Sequence, residues 1–427
     1  PVRPMSRLLQ GEVGSGKTVV ALAALLTAAA CGYQGAIMAP TEVLAEQHFL
    51  TVGRLLEKLP RPREGDNLLT VSLDPHPKPI MIGLLTGSTS AKQKRNIQGL
   101  LADGALDVLI GTHAVIQGDV RIPRLALAVV DEQHRFGVEQ RAALRKQGFH
   151  PHLLVMSATP IPRTLALTLY GDLDLSTIDQ LPPGRQKVRT RLVSPDRRGS
   201  VYEFIRKETA AGRQAFIIYP LIDESETVNA RAAAVEWERL SQSVFPDLRV
   251  GLLHGRMAFR EKQDVMDDFR NGELDVLVTT PVVEVGIDVP NATVMVIEGA
   301  DRFGLAQLHQ FRGRVGRGRH ASYCVLIAEA LSVEAKERLS ALERTDDGFQ
   351  LAEVDLEMRG PGDYFGVRQS GLPDLRMARI TDANLLALAR QDAQALLESD
   401  PQLAATEHAA LKAAVAGRTA FAGGEVG

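Results

Sequence analysis

The chain has 427 residues, 45% hydrophobic and 24% charged. That is too long for a single hydrophobic core and too apolar for a fibrous or largely disordered chain, so two or three globular domains are expected. With 49 basic against 52 acidic residues the net charge is −3, so no global positive field marks a nucleic-acid partner and any such binding has to be local.

In chain order, β-rich runs alternate with stretches of helical character: Arg7 to Leu9, Ala36 to Met38, Ile80 to Leu85, Val108 to Gly111, Leu125 to Val130 and Leu153 to Met156. This alternation predicts a parallel sheet with crossover helices. Residues 59–79 hold five prolines without clear periodicity and read as a surface insertion. After the turn-rich LPPGRQ at 181–186, where Pro183 and Gly184 suit a hinge, a second series follows. It comprises Val188 to Val193, Ala215 to Tyr219, Val250 to Leu253, Val276 to Thr279, Val294 to Ile297 and Tyr323 to Ile327. The expected fold class is therefore α/β, with two tandem parallel-sheet lobes at 1–184 and 185–345. From 346 to 371 the pattern breaks, and residues 380–417, rich in Ala, Leu and Gln, are expected to form a helical tail. The lobes repeat an architecture, and no residue-level repeat is expected between them.

No apolar run reaches the length of a membrane span, and Cys31 and Cys324 are too few for a disulfide framework or a zinc-ligand set. A reducing cytoplasm is the expected compartment. The chain opens at Pro1, close before its first strong motif, and reads as a fragment.

That motif is GEVGSGKT at 11–18, which fits the phosphate-loop pattern G-x-x-x-x-G-K-[ST] between a strand and a helix. Gly11, Gly14 and Gly16 let backbone amides close around phosphates. Lys17 reaches the β/γ oxygens and Thr18 holds magnesium, so ATP and Mg²⁺ are the expected cofactors. The apolar run LALAVVDEQH at 125–134 delivers Asp131 to the carboxyl edge of a sheet as a second metal ligand, with Glu132 placed to orient the attacking water. The segment HQFRGRVGRGRH at 309–320 supplies guanidinium groups, and its spacing puts Arg314 and Arg317 about one helical turn apart, able to face one phosphate cluster.

These residues together with SATPIPRT (157–164), GTHA (111–114), VVEVGIDVPNA (282–292) and QFRGRVGRG (310–318) resemble the motifs of superfamily 2 helicases and translocases, in order and spacing. DEQHRFGVEQR (131–141), YPLIDESE (219–226), HGRM (254–257) and RGPGDYFGVRQSG (359–371) are similar to the bacterial branched-DNA translocases within it. The resemblance implies two RecA-like lobes, a helical hairpin ahead of the C-terminal helical tail within 346–427, and an ATP-dependent motor on branched and double-stranded DNA, bacterial and nucleoid-associated, that regresses stalled forks and migrates Holliday junctions. It implies that Gly286 and Asp288 lie near the nucleotide. Pro40, Thr41, Thr112, His113, Arg256, Thr279 and Thr280 are implied to track DNA phosphates. His134, Ser157 and Thr159 would couple nucleotide state to lobe contact, and Arg359 and Gln369 would couple lobe movement to translocation. The family's strand-splitting wedge domain is expected to precede Pro1 in the full-length protein. The same residues leave two other readings, a transcription-repair coupling translocase and a nucleotide-gated nucleic-acid-binding module without turnover.

Overall fold

The computed structural model describes residues 4–59, 67–74, 78–112, 120–131, 151–157, 173–180, 186–220, 226–281, 289–329, 332–364 and 383–422. Glu132, His134, His113, Thr159, Gly286, Asp288, Gln369 and the Pro183–Gly184 hinge lie outside them, as does the side chain of Arg359. Two compact units are present, one of residues 1–161 with 172–359 and one of residues 162–171 with 360–427.

The first unit contains two sheets. One is built from β1 (Ser6–Gly11), β2 (Gln34–Met38), β3 (Leu68–Val71), β4 (Ile80–Leu85), β5 (Val108–Gly111), β6 (Leu125–Asp131), β7 (His152–Ser157) and β8 (Asp174–Ile178). Its order is β3-β4-β5-β2-β6-β7-β1-β8, and every pair is parallel except β3 with β4. The other comprises β9 (Val188–Val193), β10 (Gln214–Ile218), β11 (Val250–Leu253), β12 (Val276–Thr279), β13 (Ala292–Ile297) and β14 (Ser322–Ile327). Its order is β11-β12-β10-β13-β14-β9, parallel throughout.

All twelve expected strands are present, and two more were not anticipated. Strand β3 lies within residues 59–79, so that stretch is not merely a surface insertion: Leu69 and Val71 join the first core while β3 closes the sheet edge antiparallel to β4. Strand β8 is an edge strand with half-buried residues and the polar sequence DLSTI, which carries no apolar signal.

Each sheet is buried on both faces, and β10 shows how. Ala215 and Ile217 point into one core with Ile205, Phe245 and Val296, while Phe216 and Ile218 point into another with Phe269, Phe311 and Leu339. Period-two alternation of apolar side chains against two helical layers explains why these strands read as continuous hydrophobic runs. The first sheet's core, around Leu25, Ile37, Val129 and Leu154, draws only on residues before β9.

The two lobes do share a residue-level repeat, contrary to expectation. GALDVL at 104–109 and GELDVL at 272–277 both lead into a central strand, each behind a glycine of positive φ (68° and 79°). The buried Gln34 amide donates to Leu101 O and Leu106 O at 2.9 Å each; Gln214 donates likewise to Phe269 O and, at 2.7 Å, to Leu274 O. Asp107 Oδ2 accepts from Met81 N at 2.8 Å, as Asp275 Oδ2 does from Arg249 N at 2.9 Å. Both glutamines sit at a register shift where their strand begins. Sparse polar identities at fixed structural stations are invisible to a search for apolar periodicity.

The helix Gly348–Tyr364 runs through Gly360, Pro361 and Gly362 rather than stopping at them. Proline there removes one hydrogen bond in the last turn, where the helix is ending anyway. In the second unit, the helices Ala383–Ser399 and Ala409–Ala422 flank a joint built on Asp400. Its carboxylate accepts from Ala404 N, Ala405 N and His408 Nδ1, and these bonds, led by His408, pull its pKa down to about 2. Among the described residues no helix is long and apolar enough to cross a membrane.

Candidate nucleotide site and nucleic-acid interface

Because β1, β2, β5, β6 and β7 are parallel, their carboxyl ends share one edge, where α/β sheets bind ligands. Residues 12–16 join β1 to the helix Lys17–Ala30, with Gly14 at φ 79° and Gly16 at φ 98°. Both lie in the left-handed region, which a side chain would strain. Gly16 is the N-cap; no side chain caps this helix and its first turn holds no acid. The positive end of the helix dipole therefore meets the loop.

Lys17 is 8% exposed, and its Nζ donates to Gly11 O at 2.7 Å and Glu12 O at 2.8 Å. Phosphate oxygens are stronger acceptors for an ammonium than these carbonyls, so the contacts are exchangeable. Thr18, at the second helical position, is half-buried.

Asp131 ends β6, with β7 between β6 and β1. Two strand spacings separate it from the loop, about 10 Å. Its Oδ2 meets His48 Nε2 at 2.7 Å, both side chains being buried. His48 was not singled out from sequence. It rides on the helix Glu42–Leu55, one turn beyond Ala45 and two beyond Thr41, on the inward stripe of that helix. A histidine on such a stripe is the signal that was there to read. The oxygen donors Asp131 and Thr18 suit a hard cation such as Mg²⁺, which takes few protein ligands and keeps substrate phosphates and water. Among the described residues no cluster of three or more His, Cys, Asp or Glu side chains offers an alternative metal cage.

The arginine-rich segment meets this loop from the other lobe. A methyl added at Gly313 would lie 3.5 Å from Val13 Cβ in the phosphate loop. Arg314 is 7% exposed and Arg317 half-buried, its Nε donating to Gly313 O at 3.0 Å. Their expected placement one helical turn apart is corrected: the helix Leu305–Arg312 ends before them, and Gly316 at φ 79° turns the chain between them. Arg312 is committed elsewhere. Its guanidinium, 3% exposed, donates to Leu342 O, Thr345 O and Asp346 O at 2.8, 2.9 and 3.2 Å and meets His309 Nδ1 at 3.0 Å.

The residues expected to follow nucleic-acid phosphates divide. Pro40 and Thr41 follow β2 and Thr112 follows β5, half-buried on the shared edge, with Thr41 Oγ1 also accepting from Leu44 N at 3.3 Å as a helix cap. Arg256 is exposed beyond β11. Thr279 and Thr280 are buried, and Thr279 Oγ1 donates to Thr280 O at 2.8 Å, so that hydroxyl is turned inward to tie off β12. Ser157, also buried, ends β7 in register with Gln10 of β1, whose buried amide has no hydrogen-bond partner on either atom among the described residues.

Residues 4–168 match the DEAD/DEAH box helicase family, 198–319 the helicase conserved C-terminal domain, and 345–416 the C-terminal part of domain 3 of ATP-dependent DNA helicase RecG. The chain is 51% identical over 403 residues to the ATP-dependent DNA helicase RecG of Synechocystis sp., covering 94% of this chain and 46% of that one. It is 50% identical over 393 residues to that of Thermotoga maritima, covering 92% and 48%. A solved structure of RecG bound to a three-way DNA junction superposes with a TM-score of 0.68 at 46% identity, covering 90% of this chain and 47% of that one. The chain thus spans about half the length of the curated relatives it matches. The phosphate loop falls in the first of these matches, the arginine segment reaches into the second and residues 345–416 form the third, in that order, so the chain is similar to the motor half of ATP-dependent DNA helicase RecG.

Proposed function

We propose that this chain is the ATP-hydrolysing motor of a double-stranded DNA translocase that remodels branched DNA, regressing stalled forks and migrating Holliday junctions. The observation that carries the reading is the packing of Gly313 against Val13, which brings the arginine segment of one lobe onto the phosphate loop of the other. The proposed division is 1–184 for the first lobe, 185–345 for the second, and 346–427 for the hairpin and tail. The relative solved with a three-way junction supports branched DNA as the substrate class.

In this reading Gly11, Gly14 and Gly16 wrap the phosphates and Lys17 takes the β/γ oxygens, with Gly286 and Asp288 beside the nucleotide. Thr18 and Asp131 would hold Mg²⁺, which offsets phosphate charge. Glu132 orients the water that attacks the γ-phosphorus as the bond to the β,γ-bridging oxygen breaks, leaving ADP and phosphate. Arg314 and Arg317 stabilise the charge that develops, so hydrolysis depends on lobe closure. Pro40, Thr41, Thr112, His113, Arg256, Thr279 and Thr280 line the DNA path, and such phosphate-directed contacts need no sequence preference. His134, Ser157 and Thr159 pass nucleotide state between lobes, and Arg359 and Gln369 pass lobe movement to the duplex. The work is done in the cytoplasm, at the nucleoid.

The test is ATP turnover with single-stranded, duplex and forked DNA side by side. Duplex and forked DNA are expected to stimulate most, and Lys17→Ala to abolish turnover. Stimulation by RNA but not DNA, or a Lys17→Ala variant as fast as its parent, refutes the assignment.

A further inference from the structure

Glu12 holds the second position of the phosphate loop, where the pattern G-x-x-x-x-G-K-[ST] asks nothing of a side chain. Its two ends face different parts of the molecule. The backbone carbonyl accepts from Lys17 Nζ at 2.8 Å and from Ser15 N at 3.0 Å. The side-chain Oε1 accepts from the backbone N–H of Gly348, 336 residues away, at 2.9 Å.

Gly348 is the first residue of the helix Gly348–Tyr364. Asp347 caps that helix, its Oδ1 accepting from Phe349 N at 2.8 Å and Gln350 N at 3.3 Å. The Gly348 N–H, one of the donors a helix leaves without an internal partner, goes to the phosphate loop instead. A carboxylate there also meets the positive end of the helix dipole. Just upstream, Arg312 holds the carbonyls of Leu342, Thr345 and Asp346. The start of the helix is thus gripped on one side by the arginine segment and on the other by the loop that binds phosphate.

We propose that Glu12 is a positioning residue that transmits phosphate binding at Lys17 directly to the start of the helix Gly348–Tyr364. This deepens the motor reading and rests on it for its biological use. A phosphate that takes the Lys17 ammonium draws it off the Gly11 and Glu12 carbonyls. The Glu12 peptide then loses a charge-assisted bond, and any turn it makes is carried by its short side chain to Gly348. By linkage, a helix displaced by DNA alters how firmly Lys17 is held by its own loop.

Gly348→Pro tests this. Proline suits the first helical position, where its missing N–H costs the helix nothing. Gly348 is not among the glycines of positive φ. The measurement is amide hydrogen exchange across residues 349–358 with and without a non-hydrolysable ATP analogue, alongside ATP turnover with and without duplex DNA. The parent is expected to show a nucleotide-dependent change in exchange. Gly348→Pro and Glu12→Ala are expected to lose that change, and stimulation by DNA is expected to fall about tenfold, as for a lost bond to a charged group. Gly348→Pro should keep DNA-free turnover and its melting midpoint. Glu12→Gln, which retains an acceptor oxygen, should recover most of the coupling, and the double variant should be no worse than either single one. Unchanged nucleotide-dependent exchange in both single variants, or losses that multiply in the double, overturns the proposal. Should Gly348→Pro fail to fold, Glu12→Ala against Glu12→Gln decides it alone. A parent with nucleotide-dependent exchange but no DNA stimulation would sink the motor reading and leave this coupling standing.

Discussion

Asp131, the proposed metal ligand, is held from a neighbouring helix by His48, whose Nε2 donates to its Oδ2, both groups being shielded from water. Partners behind a metal ligand typically cost about 10- to 100-fold in metal affinity or activity when removed. His48→Ala is therefore expected to lower ATP turnover by about that factor and to raise the Mg²⁺ concentration needed for half-maximal rate. An unchanged Mg²⁺ dependence would show that His48 only packs. On the same helix, burial, aided by the neighbouring Glu42, lifts the Glu46 carboxyl from 4.5 to about 7. The folded state thus binds this proton more tightly than the unfolded chain, so its stabilising effect is complete below 4.5 and is lost as pH rises through about 7. Glu46→Gln is expected to raise the melting midpoint at about pH 8 and to match its parent near about pH 5. From sequence only the place of His48 on an inward helical stripe was legible, and not its partner. Motif spacing identifies Lys17 and Asp131 because phosphate chemistry demands those types there, whereas His48 and Glu46 derive their roles from neighbours the fold brings to them.

Among elements, the paired glutamines show what holds each sheet to its helices. Gln34 and Gln214 each tie two carbonyls from the turn after a helix to the start of a central strand. Truncation would strand buried carbonyls, at about 1–3 kcal/mol per site. Gln34→Ala and Gln214→Ala are each expected to lower stability to urea by that amount, and the double variant by their sum, since the sites share no partner. A double variant no less stable than either single one would contradict this. Most of the twelve strands found from sequence lie in runs with the apolar content of a doubly buried parallel strand, the edge strand β9, VRTRLV, being the clear exception. Strand β3 escaped because prolines crowd the stretch around it, and β8 because DLSTI carries no apolar signal. The reading of Arg314 and Arg317 as helical neighbours failed because glycines at 313 and 316 end the helix, and Gly316 takes the positive φ that permits the turn.

For the whole molecule, the proposed mechanism divides binding and rate-enhancing groups between the two lobes. Lys17, Thr18 and Asp131 stand on the first sheet, Arg314 and Arg317 beyond the second, and the cores beneath them are separate. Arg314→Ala and Arg317→Ala are accordingly expected to cut ATP turnover by about 10³ while ATP binding stays near the parent value, as measured by titration beside steady-state rates. Loss of binding in step with rate would place those arginines in the ground-state site.

Sequence alone determined the class of fold, the phosphate loop and the order of the motifs, because apolar periodicity and phosphate geometry are local constraints written in consecutive residues. Only the tertiary structure decided that Arg312 is buried as a strut while Arg314 and Arg317 lie past the end of its helix, what supports Asp131, and that Glu12 reaches Gly348. Those outcomes depend on which distant backbone groups need partners once the chain has closed, and that requirement has no signature along the sequence.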